Sequence, residues 1–135
     1  MRIVKDSKIE LLARLPLFEG CSTADLAEIS AAAERTTITR FEDLTREGAS
    51  DSLVYVIVHG MVQVKRGDRI LAYLQDGDVV GELSVLDRAP RSATATTVVD
   101  TDVLLIDRRH LLPLLDRVPA VADRLDRVAG PRRAA

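Results

Sequence analysis

The sequence from Asp76 to Thr94 reads DGDVVGELSVLDRAPRSAT, and this segment decides the fold because it interrupts a series of short strand-like runs. Gly81 precedes a short helix-competent stretch, Pro90 marks a turn, and Arg91 opens the next strand-like run. A connection of this composition between two strands is typical of a segment that has a binding role.

The residues of this segment suit a phosphate group. Gly81 allows the backbone to approach a ligand closely, and the amides that open a helix over Glu82–Leu86 have no intrahelical acceptor. A helix N-terminus also favours negative charge. Arg91 adds a planar fork of donors that matches phosphate oxygens, so the segment predicts an anion site.

Glu82 determines which anion the site would prefer. A carboxylate beside a phosphate is repulsive unless it has another task, and a ribose hydroxyl can donate a hydrogen bond to it. The pattern therefore indicates a sugar phosphate rather than inorganic phosphate or sulfate. An isolated Glu82 and Arg91 would more often form a solvated ion pair, but their place in this segment favours the binding site.

The chain on both sides of this segment alternates short runs rich in Val, Ile, Leu, Thr and Tyr with turn residues. Evenly spaced short strands of this kind predict an antiparallel sandwich or barrel. The predicted strands are Thr36–Arg40, Leu44–Arg46, Leu53–His59, Met61–Arg66, Arg69–Leu74, Ser92–Val98 and Asp102–Asp107.

Helical patterns flank the predicted strands at both ends of the chain. At the N-terminal end one pattern stops at Pro16, and Ser22-Thr23 cap a second that runs from Ala24 to about Glu34. Two short helices follow Asp107, and Gly130-Pro131 are expected to end the second. Residues 1–130 are therefore predicted to form a single domain and residues 131–135 a disordered tail, with Arg132 and Arg133 solvated.

Composition excludes several classes of protein. The 135 residues are 47% hydrophobic with a net charge of −2, which fits an ordinary globular domain without a basic surface for nucleic acid. Aromatic residues make up 3%, too few for stacking platforms, and Cys21 has no second cysteine to pair with. Met1–Asp6 lacks the apolar core of a signal peptide, and no apolar run reaches membrane-spanning length. A soluble, cytoplasmic protein without a membrane partner is expected.

Gly81–Ser84 followed by Pro90–Thr94 resembles the phosphate-binding cassette of the cyclic-nucleotide-binding domain family, and the similarity extends to Arg46–Gly48 and Leu53–Gly60. The resemblance implies a mainly β fold with flanking helices. Its core would be a double-stranded β-helix, a jelly-roll-like barrel of about eight antiparallel strands, with N-terminal helices and two short C-terminal helices. Val80 stands where the family usually has an aromatic residue, and the turn Phe41-Glu42-Asp43 lacks the family's glycine, so we expect an altered loop at the barrel edge.

The resemblance also assigns roles to residues. Glu82 would bind the ribose 2′-hydroxyl and Arg91 the cyclic phosphate, while the small Ser92 favours cAMP, with cGMP as the alternative. The ligand-binding set is Val80, Gly81, Glu82, Leu83, Ser84, Pro90, Arg91, Ser92 and Ala93, with Leu125 and Val128 as candidate caps on the base.

The predicted function is non-catalytic sensing of a cyclic nucleotide, without cofactor or metal. Neither His59 nor His110 lies in a catalytic context for Ser84, and two histidines are too few for a jelly-roll metal site. With no DNA-binding domain of its own, a monomer or weak homodimer would signal to an effector protein in trans through movement of its C-terminal helices. The alternatives are a degenerate fold that acts as an interaction module without ligand and, less well supported, a phosphate-ester hydrolase.

Overall fold

The computed structural model describes residues 7–134. Met1–Asp6, where the sequence predicts no signal peptide, and Ala135 lie outside the described residues. In chain order the helices are α1 (Ser7–Arg14), α2 (Thr23–Ala32), α3 (Glu82–Leu86), α4 (Arg108–Arg117) and α5 (Pro119–Ala134), with a 3-10 turn at Pro16–Phe18.

Eight strands in the described part of the chain form two four-stranded antiparallel sheets. In chain order they are β1 (Ala33–Ile38), β2 (Asp43–Thr45), β3 (Leu53–His59), β4 (Val62–Arg66), β5 (Arg69–Leu74), β6 (Val79–Val80), β7 (Thr94–Thr97) and β8 (Thr101–Asp107). The first sheet has the order β1-β8-β3-β6 and the second the order β2-β7-β4-β5. This architecture confirms the predicted mainly β, jelly-roll-like fold with flanking helices.

Strand β3 is buried on both of its faces. Val54 and Val56 pack in a cluster that includes apolar residues of the helices, whereas Tyr55 and Ile57 pack in a second cluster between the two sheets. Because successive side chains of a strand point to opposite faces, both sets must be apolar, and the strand reads as a continuous apolar run. The first sheet is thus a middle layer between the helices and the second sheet.

The start of α2 is fixed by a capping box. The Ser22 hydroxyl accepts a hydrogen bond from the Asp25 amide at 3.1 Å, and the Asp25 carboxylate accepts one from the Ser22 amide at 3.2 Å. This confirms the predicted cap. The helix ends at Ala32, two residues before the predicted end, because Ala33 already pairs with Ile106 of β8.

Strand β6 is an element that the sequence did not predict. It contains only Val79 and Val80, which pair with Val56 and Tyr55 of β3. Two residues are too few to show an alternating pattern, so the segment could not be distinguished from a loop. The pairing attaches the chain to the first sheet immediately before Gly81 and therefore positions the segment that decides the fold.

The C-terminal end of α5 corrects the prediction of a disordered tail at residues 131–135. The helix continues past Gly130 and includes Pro131, Arg132 and Arg133. Local sequence rules end a helix at such a Gly-Pro pair, but here two carboxylates of the α3 region bind the two arginines. Tertiary ion pairs outweigh the local signal.

Phe41 occupies the turn that lacks the family's glycine. Its φ angle is +65°, in the left-handed region that non-glycine residues rarely adopt, and its side chain is 71% exposed. The altered loop is therefore a turn of glycine-like backbone geometry.

We expect Phe41→Gly to be more stable than Phe41→Ala by about 0.5–1 kcal/mol, because glycine avoids a left-handed strain of about 1–2 kcal/mol at a smaller entropic cost. Both variants lose the phenyl ring and its contact with Arg40, so the comparison isolates the backbone. Thermal unfolding should place the glycine variant about 2–4 °C higher. The opposite order would show that the turn relaxes without strain.

Candidate ligand-binding site

All but one of the site residues predicted in the segment 76–94 line one cavity of about 260 Å³. This volume lies just below the range of about 300–1,000 Å³ for ligand pockets and suits a small ligand. The polar part of the cavity wall includes Glu82, Ser84, Arg91, Ser92 and Arg132. The apolar part includes Val64, Leu71, Ala72 and Leu74 of β4 and β5.

Gly81 precedes α3 and has a φ angle of +92°. A Cβ atom at this position would lie 2.9 Å from the Leu53 carbonyl oxygen and would collide with Nη1 of Arg91. Both the backbone conformation and the space therefore require glycine. The close approach that the sequence assigned to a ligand is made here by the Arg91 guanidinium.

Arg91 is buried, with 4% of its surface exposed, and all five of its N–H donors go to protein acceptors. Nη1 donates to the Gly81 carbonyl at 3.0 Å and to the Ser84 hydroxyl at 2.8 Å. Nη2 donates to the Leu53 carbonyl at 2.6 Å and to Asp51 Oδ1, while Nε donates to Asp51 Oδ2 at 3.1 Å. A bound phosphate must therefore exchange with some of these acceptors.

Asp51 is a residue of the site that was not predicted from the sequence. It lies between β2 and β3, 40 residues before Arg91, and its carboxylate binds two nitrogens of the guanidinium. A lone aspartate in a polar turn has no local signature that points to a partner so far along the chain. The charge of Asp51 acts with burial, the larger effect, to raise the pKa of Tyr55.

Glu82 is 2% exposed, and its partner is Arg132 near the end of α5. Nη1 of Arg132 donates to Glu82 Oε2 at 2.6 Å and to the Val79 carbonyl at 2.7 Å. Arg132 was predicted to lie in a solvated tail, so this contact was not expected from the sequence. The only signal available for it was the pair of arginines after Pro131, which is not specific.

A second ion pair joins the same two elements. Nε and Nη2 of Arg133 donate to the two carboxylate oxygens of Asp87, the residue after α3, at 2.8 and 2.7 Å. These hydrogen bonds lower the pKa of Asp87 and raise the pKa of Arg133. The last turn of α5 is thus attached to both ends of α3.

The two residues predicted to cap a base are not in the cavity wall. Leu125 is fully buried in the hydrophobic cluster beneath the helices, and Val128 lines a different cavity of about 300 Å³ beside the turn at Asp76–Asp78. The helical spacing of Leu125 and Val128 therefore did not identify a face toward this cavity, because Leu125 packs in the core and Val128 lies beside the second cavity. Pro131 and Arg132, one turn later, line the cavity instead.

The other predicted site residues are distributed around this cavity. Val80, Leu83, Ser92 and Ala93 lie in its wall, while Pro90 is exposed and lies outside it. The Ser92 carbonyl accepts a hydrogen bond from Nε of Arg66 at 3.0 Å. Arg66 also lines the cavity and was not predicted.

Within residues 7–134 no group of three or more His, Cys, Asp or Glu side chains is placed to hold a metal ion. His59 pairs with Asp76 at 3.0 Å, away from the cavity. Among the helices of the same range, none combines the length and apolar composition that crossing a bilayer requires.

Comparison with known proteins gives consistent matches. The family model of the cyclic nucleotide-binding domain matches residues 35–118. The CRP-like cAMP-activated global transcriptional regulator of Mycobacterium tuberculosis is 27% identical over 91% of this chain and 57% of its own length. The cAMP-dependent protein kinase regulatory subunit of Mycosarcoma maydis is 32% identical over 85% of this chain and 24% of its own. The chain therefore spans about half or less of these relatives.

A solved structure shows the same fold. The regulatory subunit of a cAMP-independent protein kinase A from Trypanosoma brucei superposes with a TM-score of 0.84 at 23% identity, over 92% of this chain and 45% of that one. At this identity the likeness concerns the fold alone.

Proposed function

The chain belongs to the cyclic nucleotide-binding domain family, and from this premise we propose that the cavity binds a cyclic nucleoside monophosphate, with cAMP preferred. The observation that carries the proposal is that a buried carboxylate, Glu82, and a buried guanidinium, Arg91, both line one small cavity. The first group only accepts hydrogen bonds and the second only donates them. A sugar phosphate needs both.

The chemistry of the cavity wall suggests how the ligand would lie. The cyclic phosphate would replace the Ser84 hydroxyl and the Gly81 carbonyl as acceptors of Arg91 donors, and the Gly81 carbonyl would keep the hydrogen bond from the Ser84 hydroxyl at 3.0 Å. A ribose hydroxyl would donate to Glu82. The base would lie against the apolar part of the wall on β4 and β5, and the small Ser92 beside Arg91 favours adenine over guanine.

We further propose that the domain is a non-catalytic sensor and that α5 carries the signal. Its last turn binds α3, the helix within the segment that surrounds the proposed phosphate site. A ligand that binds one arrangement of α3 and α5 better than another shifts the population between them, and an effector protein in trans can read that shift. We propose that the domain acts as a monomer or as a weak homodimer.

One observation favours the second candidate, an interaction module that keeps the fold without binding a nucleotide. All five Arg91 donors are satisfied by protein groups, so the site is complete without a phosphate. In that case Arg91 would be a structural residue that ties Asp51 and α3 together.

Titration of the purified protein with cAMP and cGMP side by side separates the two candidates. The protein is first unfolded and refolded so that any nucleotide that co-purified is removed. Under the proposal, cAMP at about 100 times its dissociation constant stabilises the fold by about 2.7 kcal/mol, and calorimetry gives one site per chain. Absence of both heat and thermal shift at millimolar cAMP and cGMP would support the interaction module.

We expect Glu82→Ala to weaken cAMP binding by roughly 1.5–3 kcal/mol, the range for hydrogen bonds to charged groups. The 2′-deoxy analogue of cAMP cannot make the proposed hydroxyl contact, so its affinity should change much less. Isothermal titration of both ligands to both proteins measures the change in preference. A preference for the ribose ligand that survives the substitution would remove Glu82 from this role.

A further inference from the structure

Arg132 lies in the wall of the proposed ligand cavity, beside the buried Glu82. Its side chain is 30% exposed. Nη1 uses its two hydrogens on the Val79 carbonyl and on Glu82 Oε2. Nε and Nη2 have no acceptor among the residues that the structure describes.

Only one of the two carboxylate oxygens of Glu82 accepts a hydrogen bond from the described residues. Oε2 accepts from Arg132, whereas Oε1 receives no hydrogen bond from the described residues. An unused carboxylate oxygen and unused guanidinium donors thus belong to one ion pair at one point of the cavity wall. The pair presents an acceptor and a donor together.

A hydroxyl group has one hydrogen to donate and two lone pairs that accept. Glu82 alone can satisfy the hydrogen but not the lone pairs. Arg132 supplies the missing donors without leaving Oε2, because its Nε and Nη2 are separate from the nitrogen that holds the ion pair. The combination is complementary to a sugar hydroxyl and to neither a carbon–hydrogen group nor an anion.

Building on the proposed function, we propose that Arg132 is a ribose-specificity residue, which with Glu82 binds a sugar hydroxyl from both its donor and its acceptor sides. Arg132 also keeps the buried Glu82 carboxylate paired and oriented, since a buried charge without its partner is costly. Recognition of the sugar then depends on the end of α5 as well as on α3.

Arg132 lies in the last turn of α5, and its contact with Glu82 helps to hold this turn in place. Leu125 and Ala129 anchor the helix in the core, and Gly130-Pro131 separate that anchor from Arg132. Pro131 has no N–H and cannot make the helical hydrogen bond back to residue 127. The last turn is therefore held less by the helix than by its contacts with α3, and a ligand that strengthens the Glu82–Arg132 pair fixes it in place.

The test compares Arg132→Ala with Arg127→Ala, a matched control that removes an exposed arginine of the same helix that lies outside this cavity wall. Affinities for cAMP and for 2′-deoxy-cAMP are measured for the unmodified chain and both variants. We expect Arg132→Ala to reduce the preference for cAMP by about tenfold or more, while Arg127→Ala leaves it unchanged. Thermal unfolding of each variant without ligand confirms that it is folded.

Three other outcomes are informative. An unchanged preference in Arg132→Ala, with cAMP still bound by the unmodified chain, overturns the role of Arg132 and leaves the proposed function intact. Tighter binding of both ligands by Arg132→Ala also overturns it and would make Arg132 a competitor for Glu82. Absence of cyclic-nucleotide binding by the unmodified chain contradicts the proposed function itself and, with it, this inference.

Discussion

Replacing Arg91 with alanine is expected to weaken cAMP binding by roughly 2–5 kcal/mol, a loss of about thirtyfold or more. The side chain is the buried cation that would face the cyclic phosphate, and no other guanidinium in the described cavity wall lies on the same segment. Truncation would leave the phosphate charge without its buried partner. Isothermal titration with cAMP measures the loss.

The same substitution should also lower the unfolding temperature, because it removes five hydrogen bonds and leaves Asp51 without its ion-pair partner. Titrations are therefore made well below the unfolding temperature of the variant. Arg88→Ala is the matched control, since Arg88 belongs to the same segment, is exposed and lies outside the cavity wall. Undiminished affinity in a folded Arg91→Ala variant would contradict the assignment of the phosphate site.

Gly81→Ala is expected to destabilise the fold by roughly 2–5 kcal/mol and to reduce ligand binding as well. The left-handed backbone costs an alanine about 1–2 kcal/mol, and the collision of its Cβ with the Arg91 guanidinium and the Leu53 carbonyl adds an overpacking cost of about 1–3 kcal/mol. Urea unfolding measures the loss of stability, and calorimetric titration measures the loss of ligand binding.

Gly20→Ala provides the control for the backbone. Gly20 has a φ angle of +81°, close to that of Gly81, but a Cβ atom there would meet nothing within 4 Å. It should therefore show only the backbone cost of about 1–2 kcal/mol and retain full cAMP affinity. Equal destabilisation by the two substitutions, with normal binding by Gly81→Ala, would show that Arg91 moves aside freely.

The parts of the fold that the sequence predicted are those with a strong local pattern. The apolar run of β3, the capping residues of α2 and the glycine before α3 each follow from neighbouring residues. Strand β6 was not predicted because two residues are too few to show an alternating pattern. The predicted end of α5 was wrong because contacts with α3 stabilise the last turn. Local propensity cannot report an ion pair with a residue 50 positions away.

The residues of the candidate site were likewise predicted where they are close in sequence and were not predicted where they are distant. The sequence grouped Gly81, Glu82, Ser84 and Arg91, which are close in the chain, and the structure places all four around one cavity. Asp51 and Arg132 were not predicted, because each reaches the site from a segment whose own composition indicates only a polar turn or a tail. The stripe that contains Leu125 was recognised, but periodicity alone could not distinguish a face toward the core from a face toward a ligand.

The hydrogen bonds of Arg91 also have a consequence for how this region fluctuates. They join the loop before β3, the first residue of β3, the start of α3 and the segment that leads into β7. None of these segments can separate from the others until the guanidinium has left its acceptors. We expect these segments to form one cooperative opening unit, whose amide hydrogens exchange with solvent through a single shared event rather than by independent fraying.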